Sequence, residues 1–302
     1  MSARAADVRA GSRESALRLL PVRAARLRDG TVAMGWAELR KLRHDHLDIF
    51  TRSVQPLLWL FVFGTALRHN QALAGGSDDY RAYLAPGVMA QAALFVAIFF
   101  GLGVIWERDV GQLQRLLATP MPRLGIVLGK AAGAAVRALT QAVVLLCVIA
   151  VAGIGIKWSV PRVVGAVVLL VVIAIARISI VWSVQGVVGA IALLLLGTAA
   201  FACLSMILAS LVRTRERFMG IGQLVVMPLF FASSALYPLA IMPVWLRVVA
   251  HANPLSYEVH GMRDLLLGIS AGGLLWLDFT VVASFLVVTA VIAAKTYPRA
   301  IL

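Results

Sequence analysis

Long apolar runs alternate with short polar breaks along this chain. Six of those runs approach the roughly 20 residues that a helix needs to cross a hydrocarbon core of about 30 Å. They fall at residues 50–67, 82–106, 138–156, 190–212, 218–237 and 274–294. The pattern predicts an all-α polytopic membrane protein of six transmembrane helices. Ahead of the first run, TVAMGWAELRKLRHDHLDIF sets Val32, Trp36, Leu39 and Leu42 at helical spacing, with Arg40, Lys41 and Arg43 around that stripe. Such a segment suits an interfacial helix in the inner headgroup layer. Pro56 lies near the start of the first span, where Arg52 can snorkel back to the inner surface, and Pro228 should kink the fifth.

Two stretches resist the pattern. Residues 161–183 are apolar, but Val163 to Ala176 is only 14 residues long and ends at Arg177. If that piece crossed as well as 190–212, the cluster RTRER at 213–217 would lie outside with Lys295 and Arg299, against the positive-inside tendency. It is therefore assigned as a re-entrant or outer-interface helix. The second stretch, PLAIMPVWLRVVAHANPLSYEVHGMRDLLLG, is too broken by proline and charge for a span and fits short helices dipping into the outer leaflet.

Composition agrees with this layout. Of 302 residues, 61% are hydrophobic, above the share of a soluble domain, and no stretch is left for a separate soluble domain. The formal charge of +14 comes from cations in an N-terminal arm and in loops beside apolar runs, which points to anionic headgroups and topology control rather than nucleic acid. Residues 1–30 read as a disordered, basic cytoplasmic arm without a signal-peptide core, 31–295 as the membrane domain and 296–302 as a short cytoplasmic tail. Arg123, Lys130 and Arg137 recur every seven residues, which favours snorkelling to phosphate over contact with a partner. Cys147 and Cys203 lie inside apolar runs as packing residues. Gly129 and Gly133, four apart, permit a close helix contact, within one subunit or across a dimer.

The stretch ERDVGQLQRLLATPMPR, 107–123, carries the most unusual polar pattern. Val110, Leu113, Leu116 and Leu117 recur at helical spacing, Gly111 allows close approach, Glu107 and Asp109 sit at the expected N-terminal end, Arg115 lies further along, and Pro120 stops the helix. A short amphipathic rod of this kind suits a groove on another protein.

At this point the chain resembles the permease subunits of ABC-2 type exporters, in particular the daunorubicin-resistance-like branch. The loop residues Glu107, Arg108, Asp109, Gly111, Leu113, Arg115, Leu116, Leu117, Thr119 and Pro120 carry the resemblance, followed by LGK at 128–130, LVRTRERFMGIGQL, FFASSALYPL and NPLSYEVHGMR in that order. The resemblance implies that the loop is a coupling helix docking on a separate cytoplasmic ATPase, which would bind ATP and Mg. It also implies a second permease copy, a multi-pass bacterial plasma membrane location with both termini cytoplasmic, and a hydrophobic or amphiphilic cargo such as a drug, lipid or glycolipid. Asn253, Pro254, Tyr257 and Arg263 match the pattern before the last span. They read structurally as a helix break and cap, and functionally as part of an outer gate. The extra apolar piece at 161–183 departs from the family pattern.

The alternatives are weaker. GISAG at 268–272 has the form of a nucleophile elbow, but no His follows Ser270 to complete a hydrolase triad. GIVLGKA at 125–131 lacks the spacing and the Ser or Thr of a P-loop, so no cofactor is expected on this chain. No HExxH occurs, and His44 and His46 belong to a headgroup-facing helix. With Arg177 and Asp278 as the intramembrane ionisable residues, an ion-driven secondary carrier lacks an acidic relay.

Overall fold

A computed structural model describes residues 25–41, 46–67, 80–151, 184–212, 214–267 and 274–298. Ten α-helices are described: α1 over 25–41, α2 His46–Ala66, α3 Tyr80–Asp109, α4 Gln112–Leu117, α5 Arg123–Val151, α6 Val184–Leu211, α7 Arg215–Phe231, α8 Val244–Ala252, α9 Pro254–Leu267 and α10 Leu275–Thr296. Among the described residues there is no strand, and the all-α polytopic reading holds. Among the described residues, four helices are long and apolar enough to cross a membrane: Tyr83–Asp109, Arg123–Leu145, Val188–Leu211 and Leu275–Thr296. The 161–183 piece with Arg177, residues 1–24 of the arm, the side chain of Cys147, and Ser270 lie outside the described residues.

The most apolar helix, α6, forms the centre, packed against α3, α5, α9 and α10. Its lower half meets α3 through Ser205, whose hydroxyl donates to the Ile98 carbonyl and accepts from the Gly101 amide at 2.9 Å. Its upper half receives α9, with Leu193 against Gly261 and Leu265 against Gly189. The outer faces of α2 and α10 present Leu58, Val62, Val287 and Val288, as lipid-facing surfaces do.

Topology follows from which ends meet. Arg108 at the foot of α3 donates to the Val212 carbonyl, and Arg215 at the start of α7 binds Asp109. The ends of α3 and α6 and the start of α7 therefore share one end of the bundle. Lys130 contacts Glu107 there, so α5 leaves that end and α6 returns to it, as the single crossing at 190–212 requires.

Two boundaries differ from the sequence pattern. Helix α5 begins at Arg123, fifteen residues before the uncharged run, because the Lys130 charge is satisfied inside the bundle and does not have to mark a boundary. Helix α7 stops at Phe231 rather than Tyr237. Pro228 falls in its last turn, where the Ser233 hydroxyl donates to the Phe230 carbonyl at 2.6 Å, so the proline ends the helix instead of kinking its middle. The proline-broken stretch forms the short helices α8 and α9, with Val244, Trp245 and Val248 exposed on α8. Arg247 fastens the chain entering α8 through the carbonyls of Leu239, Ala240 and Met242 at 3.0–3.1 Å.

Helix α1 is not a free interfacial element. Its Val32 and Trp36 are exposed as expected, but Met34 and Glu38 on the opposite face are buried against α5. The pair Gly129 and Gly133 makes this approach possible, and it lies within one subunit. A Cβ at Gly129 would sit 2.5 Å from Met34 Cβ and 2.8 Å from the Thr31 carbonyl oxygen, and one at Gly133 would sit 2.9 Å from Glu38 Cγ. Gly133→Ala should therefore separate α1 from α5 and cost about 1–3 kcal/mol of stability by overpacking. The thermal melt of the purified variant should fall accordingly, whereas Gly220→Ala, where a Cβ meets nothing within 4 Å, should leave it unchanged.

Candidate functional site: the foot of the third helix and its ion cluster

The coupling-loop residues divide into two groups. Helix α3 continues to Asp109, so Glu107 and Asp109 end a long helix instead of opening a short one, which corrects the expected polarity of the loop. Gly111 then adopts φ 72°, a left-handed turn that glycine takes without strain. Its value is the turn, not close approach. The separate helix α4 is one and a half turns long and ends at Leu117, three residues ahead of Pro120. Leu113 is fully buried in the core, Leu116 and Leu117 are partly buried, and Val110, Gln114, Arg115, Ala118, Thr119 and Pro120 face outward. The loop is an anchored knob with one free face, not a continuous rod.

Glu107 belongs to the anchor. It is buried, with Oε2 against Lys130 Nζ and Oε1 at 2.9 Å from Lys41 Nζ. Lys41 also binds Glu38 Oε1 at 2.9 Å, and Lys130, 1% exposed, lies 3.7 Å from the same oxygen. Snorkelling is thus the wrong reading for Lys130. Burial works against the Lys41 ammonium, but Glu107 and Glu38 outweigh it and hold its pKa above the usual lysine value. Two carboxylates and two ammonium groups from α1, α3 and α5 neutralise one another in one place.

A second set of contacts braces the foot of α3. Arg215 Nε and Nη2 donate to Asp109 Oδ2 at 3.1 and 2.9 Å, and the same guanidinium lies 4.4 Å over the Trp106 ring. Trp106, Asp109 and Arg215 are exposed or half-exposed, so this contact fixes orientation more than it adds stability.

At the opposite end the NPLSY region forms another clamp. Asn253 Nδ2 donates to the carbonyls of Leu229 and Ala232 at 2.6 and 3.2 Å, while its Oδ1 caps the Leu255 amide at 3.0 Å. Pro254 occupies the first helical position of α9, where a missing N–H costs nothing. Tyr257 donates to the His251 carbonyl at 2.9 Å. Buried Arg263 donates to three carbonyls, Tyr83, Ser234 and Ala235 at 3.0, 2.5 and 2.7 Å, and sits 3.6 Å over the Tyr83 ring. Burial pushes its pKa down to about 10, which leaves it cationic at neutral pH. Asn253 ties the start of α9 to the end of α7, Arg263 ties α9 to α3 and to residues 234–235, and Tyr257 ties α9 to α8.

The sequence missed the burial of Glu258. Glu258, 1% exposed, points at Gly197 of α6 and its Oε1 has no hydrogen-bond partner. Asp278, which was read from sequence, is paired with His260 Nδ1 at 2.8 Å, and that hydrogen bond raises the His260 pKa. The scarcity of ionisable groups inside the bundle is therefore overstated by the sequence, although Lys130 and Asp278 are bound in pairs with Glu107 and His260. Glu258 could have been suspected from its place one helical turn from Pro254, on the same face as Leu255 and Met262.

Comparison with known proteins agrees with this architecture. Residues 30–267 match the family model of the ABC-2 type transporter. The chain belongs to that family, and is a membrane transport permease. It is 26% identical to a putative transport permease ycf38 of Cyanophora paradoxa over 74% of this chain and 70% of that protein. It is 30% identical to nodulation protein J of Rhizobium leguminosarum bv. trifolii over 71% and 72% of the two chains. It is 22% identical to the daunorubicin resistance ABC transporter permease protein DrrB1 of Streptomyces coeruleorubidus over 87% and 83%.

Charge reversal at Glu107 thus perturbs folding before it can report on docking. Glu107→Gln, which strips Lys130 of its partner, should cost about 3–5 kcal/mol, while the double variant Glu107→Gln with Lys130→Gln should recover much of that loss. Thermal melts of the two singles and the double, run as a mutant cycle, check this, and additive losses would contradict the pairing.

Proposed function

We propose that the chain works as two permease copies with two cytoplasmic ATPase copies that bind ATP and Mg, exporting a hydrophobic or amphiphilic compound across a bacterial plasma membrane. In this reading the end of the bundle carrying Asp109, Lys130 and Arg215 is cytoplasmic, together with both termini. The observation that carries it is the geometry of α4. Leu113 seats it on the core, its outer face is left exposed, and it joins the foot of the 30-residue α3 through a single tight turn. A knob so anchored transmits a push to the membrane helices, where a flexible loop would absorb it.

The docking face of α4 consists of Gln114, Arg115, Ala118 and Thr119. Glu107, Arg108, Asp109 and Leu113 position that face from behind, and Gly111 sets its angle. The name of the Streptomyces relative supports a small amphiphilic cargo. Asn253, Pro254, Tyr257 and Arg263 stabilise the outer wall against which the cargo path opens.

Arg115→Glu combined with Gln114→Glu should reduce ATP-driven export, measured in cells or vesicles with the cognate ATPase, by at least about fivefold, equivalent to ~1 kcal/mol of lost contact. Membrane insertion and the melt of the permease alone should stay unchanged, because both side chains are exposed. Full export by that variant would remove α4 as the docking element.

A further inference from the structure

Among the described residues, four buried side-chain oxygens have no hydrogen-bond partner: Gln91 Oε1, Ser256 Oγ, Glu258 Oε1 and Tyr297 Oη. Amide and hydroxyl groups stay neutral near neutral pH, so three of the four lack a hydrogen bond and nothing more. Glu258 differs, because its charge depends on whether it holds a proton. It is 1% exposed on α9 and its carboxyl lies against the central helix. A Cβ at Gly197 of α6 would fall 2.8 Å from Glu258 Oε1 and closer still to Cδ and Oε2, so the carboxyl occupies the space that this glycine leaves open.

The helices packed around α9 bring no counter-charge to this carboxyl. Helix α6 carries no Asp, Glu, Lys, Arg or His over Val184–Leu211. On α10, Asp278 is held by His260 Nδ1 at 2.8 Å, and Asp264 of α9 acts on the same His260. On α3, Arg81 lies along α2, its Cγ 2.8 Å from the Cβ position of Gly64, while the Tyr80 hydroxyl donates to Leu236 and the Tyr83 ring carries Arg263. The Arg263 guanidinium is itself engaged by three carbonyls. On α8, Arg247 is held by the carbonyls at its entry and His251 is exposed. Burial alone therefore acts on Glu258, and it pushes the pKa well above the usual carboxylate range. A neutral carboxyl here lacks one hydrogen bond, whereas an ionised one would forfeit its whole hydration without a partner. The neutral acid is the state this packing admits.

We propose that Glu258 is a proton-binding site at the end of the bundle opposite the ion cluster: its carboxyl holds a proton while α9 is seated on α6 and gives that proton to water when the two helices part. The carboxylate left behind is hydrated, and it returns to its dry position against Gly197 only after taking up a proton again. Acid therefore favours the seated arrangement and alkali the parted one. A single acid with no second acid beside it is a switch in the wall of the bundle, not a relay across the membrane. That the proton comes from the outer side rests on the orientation proposed above; the site itself does not.

The test uses the full chain purified into phosphatidylcholine nanodiscs without any ATPase. Infrared difference spectra between the wild type and Glu258→Gln at neutral pH should contain the carbonyl band of a protonated carboxylic acid, shifted in deuterium oxide and absent from the variant. Thermal melts against pH supply the linkage. The seated state binds a proton that the unfolded chain gives up, so the stability due to Glu258 is greatest below the ordinary glutamate range and falls as pH rises through the raised value. Protonated His260 beside Asp278 adds a loss in the same direction, so the wild type is compared with the variant and not with a flat line. Glu258→Gln should melt no lower than the wild type at neutral pH and lose part of the decline toward alkali. A carboxylate in place of the acid band, or melting curves that run parallel, would overturn the proposal. Should Glu258→Gln fail to fold, Gly197→Ala decides with Glu258 in place: by driving the carboxyl off α6 it should lower the pH at which the acid band disappears, and an unchanged titration refutes the link to α6. Because no ATPase is present, a chain that exports without an acid band refutes only the site, and one that shows the band without ATP-driven export refutes only the transport reading.

Discussion

An ammonium group enclosed by helices is tolerable only when a carboxylate stands beside it, and Lys130 meets that condition through Glu107. The consequence is positional. Glu107 belongs to α3, Lys130 to α5, and Glu38 and Lys41 to α1, so satisfying one buried charge sets three helices in register. Helix α1 cannot slide along α5 without parting Glu38 from the cluster, and Gly129 and Gly133 keep the two backbones close enough for it to form. The place of α4 follows, since it hangs from the foot of α3 by the turn at Gly111 and by Leu113.

The far end of α3 obeys the same logic with a different acceptor set. Arg263 is satisfied by three carbonyls and an aromatic face, and two of its four contacts belong to Tyr83 on α3. Tyr80 adds a hydrogen bond to the Leu236 carbonyl at 2.9 Å. One 30-residue helix therefore carries a charge-fixed joint at each end, with the central α6 packed along its length. Displacement of α4 would load the ion cluster first and the Arg263 clamp second. Contiguity alone is not coupling; a second stable arrangement of these same contacts is what converts such a column into a transmission.

Period and hydropathy carried most of the architecture. The apolar runs located α2, α3, α6 and α10 closely, because a helix in lipid must be apolar over its whole crossing and ends where charge begins. That rule failed where charge is satisfied internally. Lys130 looked like a boundary marker because a sequence records a charge but not its partner, and that partner, Glu107, lies 23 residues away on another helix. The loop was legible as an amphipathic element, but its division at Gly111 was not: a glycine at a left-handed turn and a glycine at a close contact read alike. Asn253 and Pro254 were legible as cap and break because that chemistry is local. Glu258 and Gln91 were hidden for the reverse reason, since their burial is decided by helices far away in the chain.

The net charge of +14 gains a second meaning from this geometry. Cations near a membrane's inner face orient a polytopic chain, and on that ground alone each could be exchanged for a neighbour in the same loop. Lys130 does not have that freedom, because Glu107 and Glu38 hold it inside the bundle. Lys41 lies between the two roles, half in solvent and bound to both carboxylates of the cluster. Orientation depends on how many cations a loop holds, whereas a buried ion pair depends on where each one points. Moving the positive charge of Lys130 by one helical position should therefore preserve orientation while parting it from Glu107, which separates topology from packing within a single residue.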